Sequence, residues 1–323
     1  MLIQNKTIWT SDNSNLLRYK ELCEIGTYTI GEDLKTQLAN LSEDLKTDEY
    51  VYDTEDALLR INFMENCVRL TKSPFYGQPM VLMDWQKALI EAAYSFKMPD
   101  TGFDRFKRVL LEIARKNGKT ETCAGLAFAE LIVGNPGSDI VASSNDDAQA
   151  NITYNAVDVM RLLVDPKSQD TWINQFGISN LNNGSKMTKL TDRTRNKEGR
   201  NIDFAVVDEV HEMKQNVIVK SIEQSQSIKD NPKLWLITTD GFVFEGFLDD
   251  ELKKAHAAIY REDDSIASKR RLDWLYTQDS EAEIWTNPRS WYKSNPTLGV
   301  VKKLEYLEEQ VELAKMSKAD RIF

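Results

Sequence analysis

The sequence predicts an α/β fold with a mostly parallel central sheet flanked by helices. Three observations carry that expectation. Short apolar runs rich in β-branched residues lie at 109–114, 140–143, 202–207 and 234–238, each too short for a typical helix and bounded by polar or Gly-containing segments. Between them, 121–133 and 146–163 show apolar residues at the helical period. A succession of strand, helix and strand implies parallel pairing, with both faces covered and ligands at the carboxyl ends of the strands.

In chain order, residues up to about 100 read mainly as helix. The stretches 33–45 and 54–70 repeat apolar residues near the helical period after acidic or polar starts. The alternation of strands and helices then runs from about Arg105 to Gly241. Beyond it, 251–260 and 303–317 read as charged amphipathic helices, and 285–299 is turn-rich, with Pro288, Pro296 and several aromatics. No internal repeat or low-complexity tract interrupts the 323 residues.

Bulk composition narrows the function classes. At 41% hydrophobic and 28% charged, the chain reads as globular and foldable. A net charge of −10 argues against a uniformly basic protein that coats nucleic acid. One local exception is the cluster Lys186, Lys189, Arg193, Arg195, Lys197 and Arg200, which suits either a solvated hairpin or loop or a basic patch. Cys23, Cys67 and Cys123 are widely spaced and signal neither a disulfide framework nor a zinc site. The start lacks a basic flank followed by an apolar segment, and the apolar stretch 124–133 is far below the ~20 residues needed to cross a bilayer, so no membrane association and a cytosolic location are expected.

The sharpest chemical signal is Arg115-Lys116-Asn117-Gly118-Lys119-Thr120, directly after one predicted strand and before a helix. Strand, tight loop, Gly-Lys-Thr and helix together form a phosphate cradle, the mark of a P-loop NTPase. Loop and helix N–H groups face the anion, Lys119 neutralises the terminal phosphates of ATP, and the Thr120 hydroxyl ligates Mg2+. The usual first glycine of the motif falls on Ile113, so the Gly-Lys-Thr needs a partner. That partner is Phe204-Ala205-Val206-Val207-Asp208-Glu209, an apolar strand ending in two carboxylates. Asp208 can sit beside Mg2+ while Glu209 orients or deprotonates the attacking water. A third apolar strand ends in Thr238, Thr239, Asp240 and Gly241, where Thr238 or Thr239 could sense the γ-phosphate. His211 is not needed for this chemistry and reads as structural or coupling. His256 carries no assignment.

These motifs, in this order, resemble the ATPase domain of tailed-phage terminase large subunits. Leu82-Met83-Asp84-Trp85-Gln86 is similar to that family's adenine-contacting segment, with Gln86 the best match. The loop at 113–120 resembles a deviant Walker A that lacks the first glycine and carries a basic residue, here Arg115. The stretch 143–150 and Asp208-Glu209-Val210-His211 resemble the next strand's polar end and the Walker B box, and 291–299 resembles the Trp, Asn-Pro, Leu-Gly segment near the end of the motor. The resemblance implies a helical region at 1–100 packed on a motor, a P-loop ATPase core at 101–245, and a lid or linker at 246–323 toward a nuclease domain. It implies translocation of viral double-stranded DNA into a capsid in the cytoplasm of an infected or lysogenic bacterial host. Portal protein and small terminase subunit are the implied partners, in a homo-oligomeric ring. An arginine completing the site is expected from Arg115 within the subunit, or from Arg193, Arg195 or Arg200 of a neighbour. Family members usually continue into an RNase H-like nuclease, so a motor fragment or truncated product without cleavage activity is expected. A helicase-like remodelling ATPase and a nucleotide-binding assembly protein that does not hydrolyse remain the rival readings.

Overall fold

A computed structural model describes residues 7–190, 199–241, 243 and 245–316. Four helices come first: α1 (Asn15–Glu24), α2 (Glu32–Asp44), α3 (Glu55–Cys67) and α4 (Asp84–Ser95). A small ribbon pairs β1 (Val51–Tyr52) with β2 (Phe96–Lys97) antiparallel. The main sheet opens with β3 (Arg108–Glu112), followed by α5 (Lys119–Val133), β4 (Asp139–Ser144) and α6 (Asp147–Val164). Next come β5 (Thr171–Asn174), β6 (Gly177–Asn180), β7 (Lys186–Leu190), β8 (Ile202–Asp208), α7 (Val217–Ser225) and β9 (Lys233–Thr238). The chain continues through α8 (Phe247–Ile259), α9 (Ile266–Lys269), β10 (Arg271–Leu275), α10 (Glu281–Thr286) and α11 (Leu304–Met316).

The eight-stranded sheet has the order β10-β3-β9-β8-β4-β7-β6-β5. From β10 to β7 every pairing is parallel, and β6 and β5 add an antiparallel edge. Each central strand divides its side chains between two cores, as the period-2 pleat requires. Val109, Leu111 and Ile113 face the cluster shared with α3, α4 and α5, whereas Leu110 faces the cluster that includes Ile218, Val219 and Phe247. On β9, Trp235 and Ile237 take the first side and Leu234 and Leu236 the second. Both faces are covered, so these strands are apolar runs rather than alternating ones.

The four strands expected from sequence are present, with ends shifted by a residue or two. The first ladder stops at Glu112, although the Ile113 N–H still donates to the Thr238 carbonyl at 3.1 Å. Four further strands of this sheet, and the two of the small ribbon, were not expected. In the main sheet β5, β6 and β7 make a polar, turn-rich meander, and β10 joins from beyond residue 245. The first helices pack against that edge, where the Tyr19 and Tyr276 hydroxyls lie 2.9 Å apart and Tyr19 stacks on Trp274. Among the described residues, no helix is long and apolar enough to cross a membrane.

Candidate nucleotide site

The strand order sets the site. Strand β9 lies between β3 and β8, so the threonines at its carboxyl end stand between the phosphate-type loop and the paired carboxylates. All three strand ends point the same way because the pairings are parallel. This is the edge of an open α/β sheet where ligands bind.

The loop turns through two left-handed residues, Lys116 at φ 68° and Gly118 at φ 81°. Gly118 has open space where a Cβ would sit, so its backbone conformation, not crowding, calls for glycine there. As N-cap of α5, Gly118 aims the first free N–H groups of a 15-residue helix out of the loop. Ile113, where the usual motif has its first glycine, is fully buried in the core and belongs to the end of the strand rather than to the cradle.

Lys119 and Thr120, on the first turn of α5, meet the carboxylates that end β8. The Lys119 Nζ donates to Glu209 Oε1 at 2.5 Å and lies 3.3 Å from Asp208 Oδ1. The Thr120 hydroxyl donates to Asp208 Oδ2 at 2.9 Å. Glu209 itself sits at φ 55°, a left-handed conformation costly for a residue with a Cβ, which turns its side chain back toward Lys119. Its second oxygen is 3.1 Å from His211 Nδ1.

His211 is buried and pinned from three sides. Its backbone N–H donates to Thr238 Oγ1 at 3.1 Å, its ring Nδ1 is 3.2 Å from the same oxygen, and Gly241 lies so close that a Cβ there would fall 2.5 Å from His211 Cβ. Burial, with Lys119 and Arg115 nearby, holds the imidazole pKa below its ordinary value despite the adjacent Glu209. Thr238 in turn donates to the Thr239 carbonyl at 2.8 Å, and the buried Thr239 hydroxyl has no partner among the described residues. On the β4 side, the Ser144 hydroxyl donates to the Asp208 carbonyl at 2.9 Å, and Gln149 bridges to Glu212 at 2.8 Å.

The remaining candidates are placed less uniformly. Gln86 caps its own helix by accepting from the Met83 N–H at 2.7 Å and donates to Thr122 Oγ1 at 2.6 Å, fixing α4 to the start of α5. Arg115 and Lys116 are exposed on the loop. The Asn117 side chain is turned inward, away from the cradle, and bonds to Asn295 and Thr297. Arg200 pairs with Asp139 at the amino end of β4, at the opposite end of the strands from the cradle. Arg193 and Arg195 lie outside the described residues. His256 is 3.2 Å from Asp33, remote in sequence and tied to α2.

The donor set suits a magnesium nucleotide. One carboxylate and one hydroxyl leave room for the water and phosphate ligands that Mg2+ retains. Lys119 lies between Asp208 and Glu209, so the local field there already favours a cation. Sequence reasoning missed Asn295, Thr297, Ser144 and Gln149 as parts of the site. The segments that hold them were visible as family-like stretches, but no spacing rule could bring them to the loop.

The profile of the terminase large subunit ATPase domain matches residues 84–257. The chain is 28% identical over 267 residues to the terminase large subunit of Enterobacteria phage HK97, covering 79% of this chain and 49% of that protein. It is 32% identical over 127 residues to protein YmfN of Escherichia coli (strain K12), covering 39% of this chain and 27% of that one. The crystal structure of the HK97 bacteriophage large terminase superimposes with a TM-score of 0.69 at 25% identity, over 83% of this chain and 53% of that chain. The chain thus spans about half the length of the phage terminases it matches. With the profile covering more than half of the 323 residues and the HK97 fold shared across most of the chain, this protein belongs to the terminase large subunit family through its ATPase domain.

Proposed function

We propose that this chain is an ATP-hydrolysing motor that drives viral double-stranded DNA into a capsid. The observation that carries the chemistry is the meeting of Lys119, Thr120, Asp208 and Glu209 at the carboxyl ends of β3 and β8. Family membership supports the biological setting: a ring of subunits acting with a portal and a small terminase subunit in the bacterial host cytoplasm.

In this reading the helix N-terminus and loop N–H groups receive the phosphates, and Lys119 leaves Glu209 to neutralise them. Thr120 and Asp208 would hold Mg2+, which supplies charge neutralisation between the phosphates when bound. Glu209, released from Lys119, accepts the proton of the attacking water, while His211 keeps the carboxylate oriented through its second oxygen. Thr238, bonded to His211, places the end of β9 within one side chain of the base. Arg115, exposed on the loop, is the candidate to stabilise charge on the transferring phosphoryl group within its own subunit.

The test is Glu209→Gln beside Lys119→Ala. Glu209→Gln should keep nucleotide binding while ATP turnover falls by roughly 10² or more, the usual contribution of a positioned base. Lys119→Ala should lose turnover and weaken binding together. Near-parental phosphate release from Glu209→Gln would remove the base from this reading. A protein that binds Mg-ATP but never hydrolyses it, even unmutated, would favour a nucleotide-dependent assembly role.

A further inference from the structure

We propose that Asn117 is a positioning residue that locks the phosphate loop to the 294–302 segment, so that loop and segment respond to nucleotide as one unit. The proposal rests on the reading of the loop as a nucleotide cradle. Asn117 occupies the middle of that loop, yet it is only 1% exposed. Its amide donates to the Ala114 carbonyl at 2.9 Å and to Asn295 Oδ1 at 3.0 Å. Its oxygen accepts from the Thr297 N–H at 3.2 Å and from the Thr297 hydroxyl at 2.7 Å. Two donors and two acceptor sites are the full capacity of a side-chain amide, so none remains for a phosphate oxygen.

The contact is continued on both sides. Asn295 Oδ1 also accepts from Lys302 Nζ at 2.8 Å, and the Asn295 amide donates to the Trp291 carbonyl at 3.0 Å. The loop backbone adds its own bond, Ala114 N–H to the Ser294 carbonyl at 3.2 Å. Asn295 is 4% and Thr297 1% exposed, so water does not compete for these groups. Buried networks in which every member is satisfied are rigid and cooperative. A loop that reshapes around a phosphate therefore cannot move Asn117 without drawing 294–302 with it. The two carboxylates and Lys119 would still be present in a protein lacking the lock, but the loop would no longer be held in register with that segment.

The experiment compares the parent chain with Asn117→Ala and Thr297→Val, using Mg-ADP and a non-hydrolysable Mg-ATP analogue as probes. Nucleotide affinity is read by titration, and motion by amide hydrogen exchange across 294–302. In the parent, nucleotide should change exchange in that segment. In either variant nucleotide should still bind, within about tenfold of parental affinity, while the response at 294–302 is weakened, more in Asn117→Ala, which removes every side-chain bond of that residue to the segment, than in Thr297→Val, which removes the hydroxyl's bond alone. The double variant should lower turnover by no more than about twofold beyond the worse single variant, because both act on the same contact. Thr297→Val leaves the loop sequence intact and serves if Asn117→Ala does not fold. A parent that binds nucleotide with no change at 294–302, variants that keep the parental response, or fully additive losses would overturn the lock. A parent that binds no nucleotide would instead overturn the reading of the site itself.

Discussion

Glu112 is the last residue of β3 before the phosphate loop, and it is buried with one carboxyl oxygen lacking any partner among the described residues. Burial, reinforced by Asp240 and Asp33, pushes its pKa up from 4.5 to about 8. The folded chain therefore keeps a proton that the unfolded chain releases. Its stabilising form is fully present below about pH 4.5 and is lost as pH rises toward about 8, beyond which both states are deprotonated. Glu112→Gln replaces the protonated acid by a neutral group of the same shape. Its stability advantage over the parent should grow between pH 5 and 8 and then level off, reaching on the order of a few kcal/mol. Urea midpoints at several pH values read this directly, and a constant difference across that range would show that Glu112 ionises freely. The same residue explains why a carboxylate so near the cradle was not a sequence candidate: nothing in the pattern Val109-Leu110-Leu111-Glu112 tells a buried acid from a strand-end acid in water.

At the scale of elements, the contact between α3 and α5 turns on one buried pair. Arg60 donates to both oxygens of Glu130, at 2.6 and 3.1 Å, and Tyr94 from α4 adds a third bond at 2.6 Å. Arg60→Ala leaves Glu130 charged and underpaired among apolar neighbours, which should destabilise the fold by about 3–5 kcal/mol. Arg60→Met together with Glu130→Leu should recover most of that loss, as measured by chemical denaturation; an equal loss in the double variant would mean that packing, not charge, holds the helices. These helices also show what the sequence made legible. The long periodic segments that became α2, α3, α5, α6 and α11 announced themselves, and so did the apolar strands buried on both faces. Strands β5 to β7 did not, because Thr171–Asn174 and Gly177–Asn180 are short, polar and partly exposed, with no run of apolar residues. Strand β10 was hidden for another reason. Its Arg271 pairs with both Asp273 and Glu251, so the strand carries two charged residues in five although every residue is buried. Within the site, residues adjacent in sequence to Lys119 and Asp208 were found readily. Asn295 and Thr297 reach the loop only through the tertiary fold, which no local pattern encodes.

At the scale of the whole molecule, the sheet takes its β10 edge from the last quarter of the chain. Strand β3, which leads into the phosphate loop, pairs with β9 on one side and with β10 on the other. A chain cut after residue 245 would retain Lys119, Thr120, Asp208 and Glu209 but leave the β10-facing edge of β3 unpaired and bare the apolar groups that Leu272 and Trp274 cover. Such a fragment should be poorly soluble or unfold well below the parent, as thermal unfolding of the two proteins would show. A fragment as stable as the parent would mean that 246–323 is an appendage rather than a part of the motor.

The late arrival of β10 and of the 294–302 segment also has a meaning for synthesis. A ribosome that has delivered everything through Gly241 has made every residue proposed here to touch nucleotide, yet neither the second neighbour of β3 nor Asn295 and Thr297, the partners of Asn117 outside the loop, exist. The loop is written early and finished late. Through that interval the nascent chain holds the charges of the cradle without the contacts that tie it to 294–302, so the coupling between loop and segment waits for residues made well after the cradle itself.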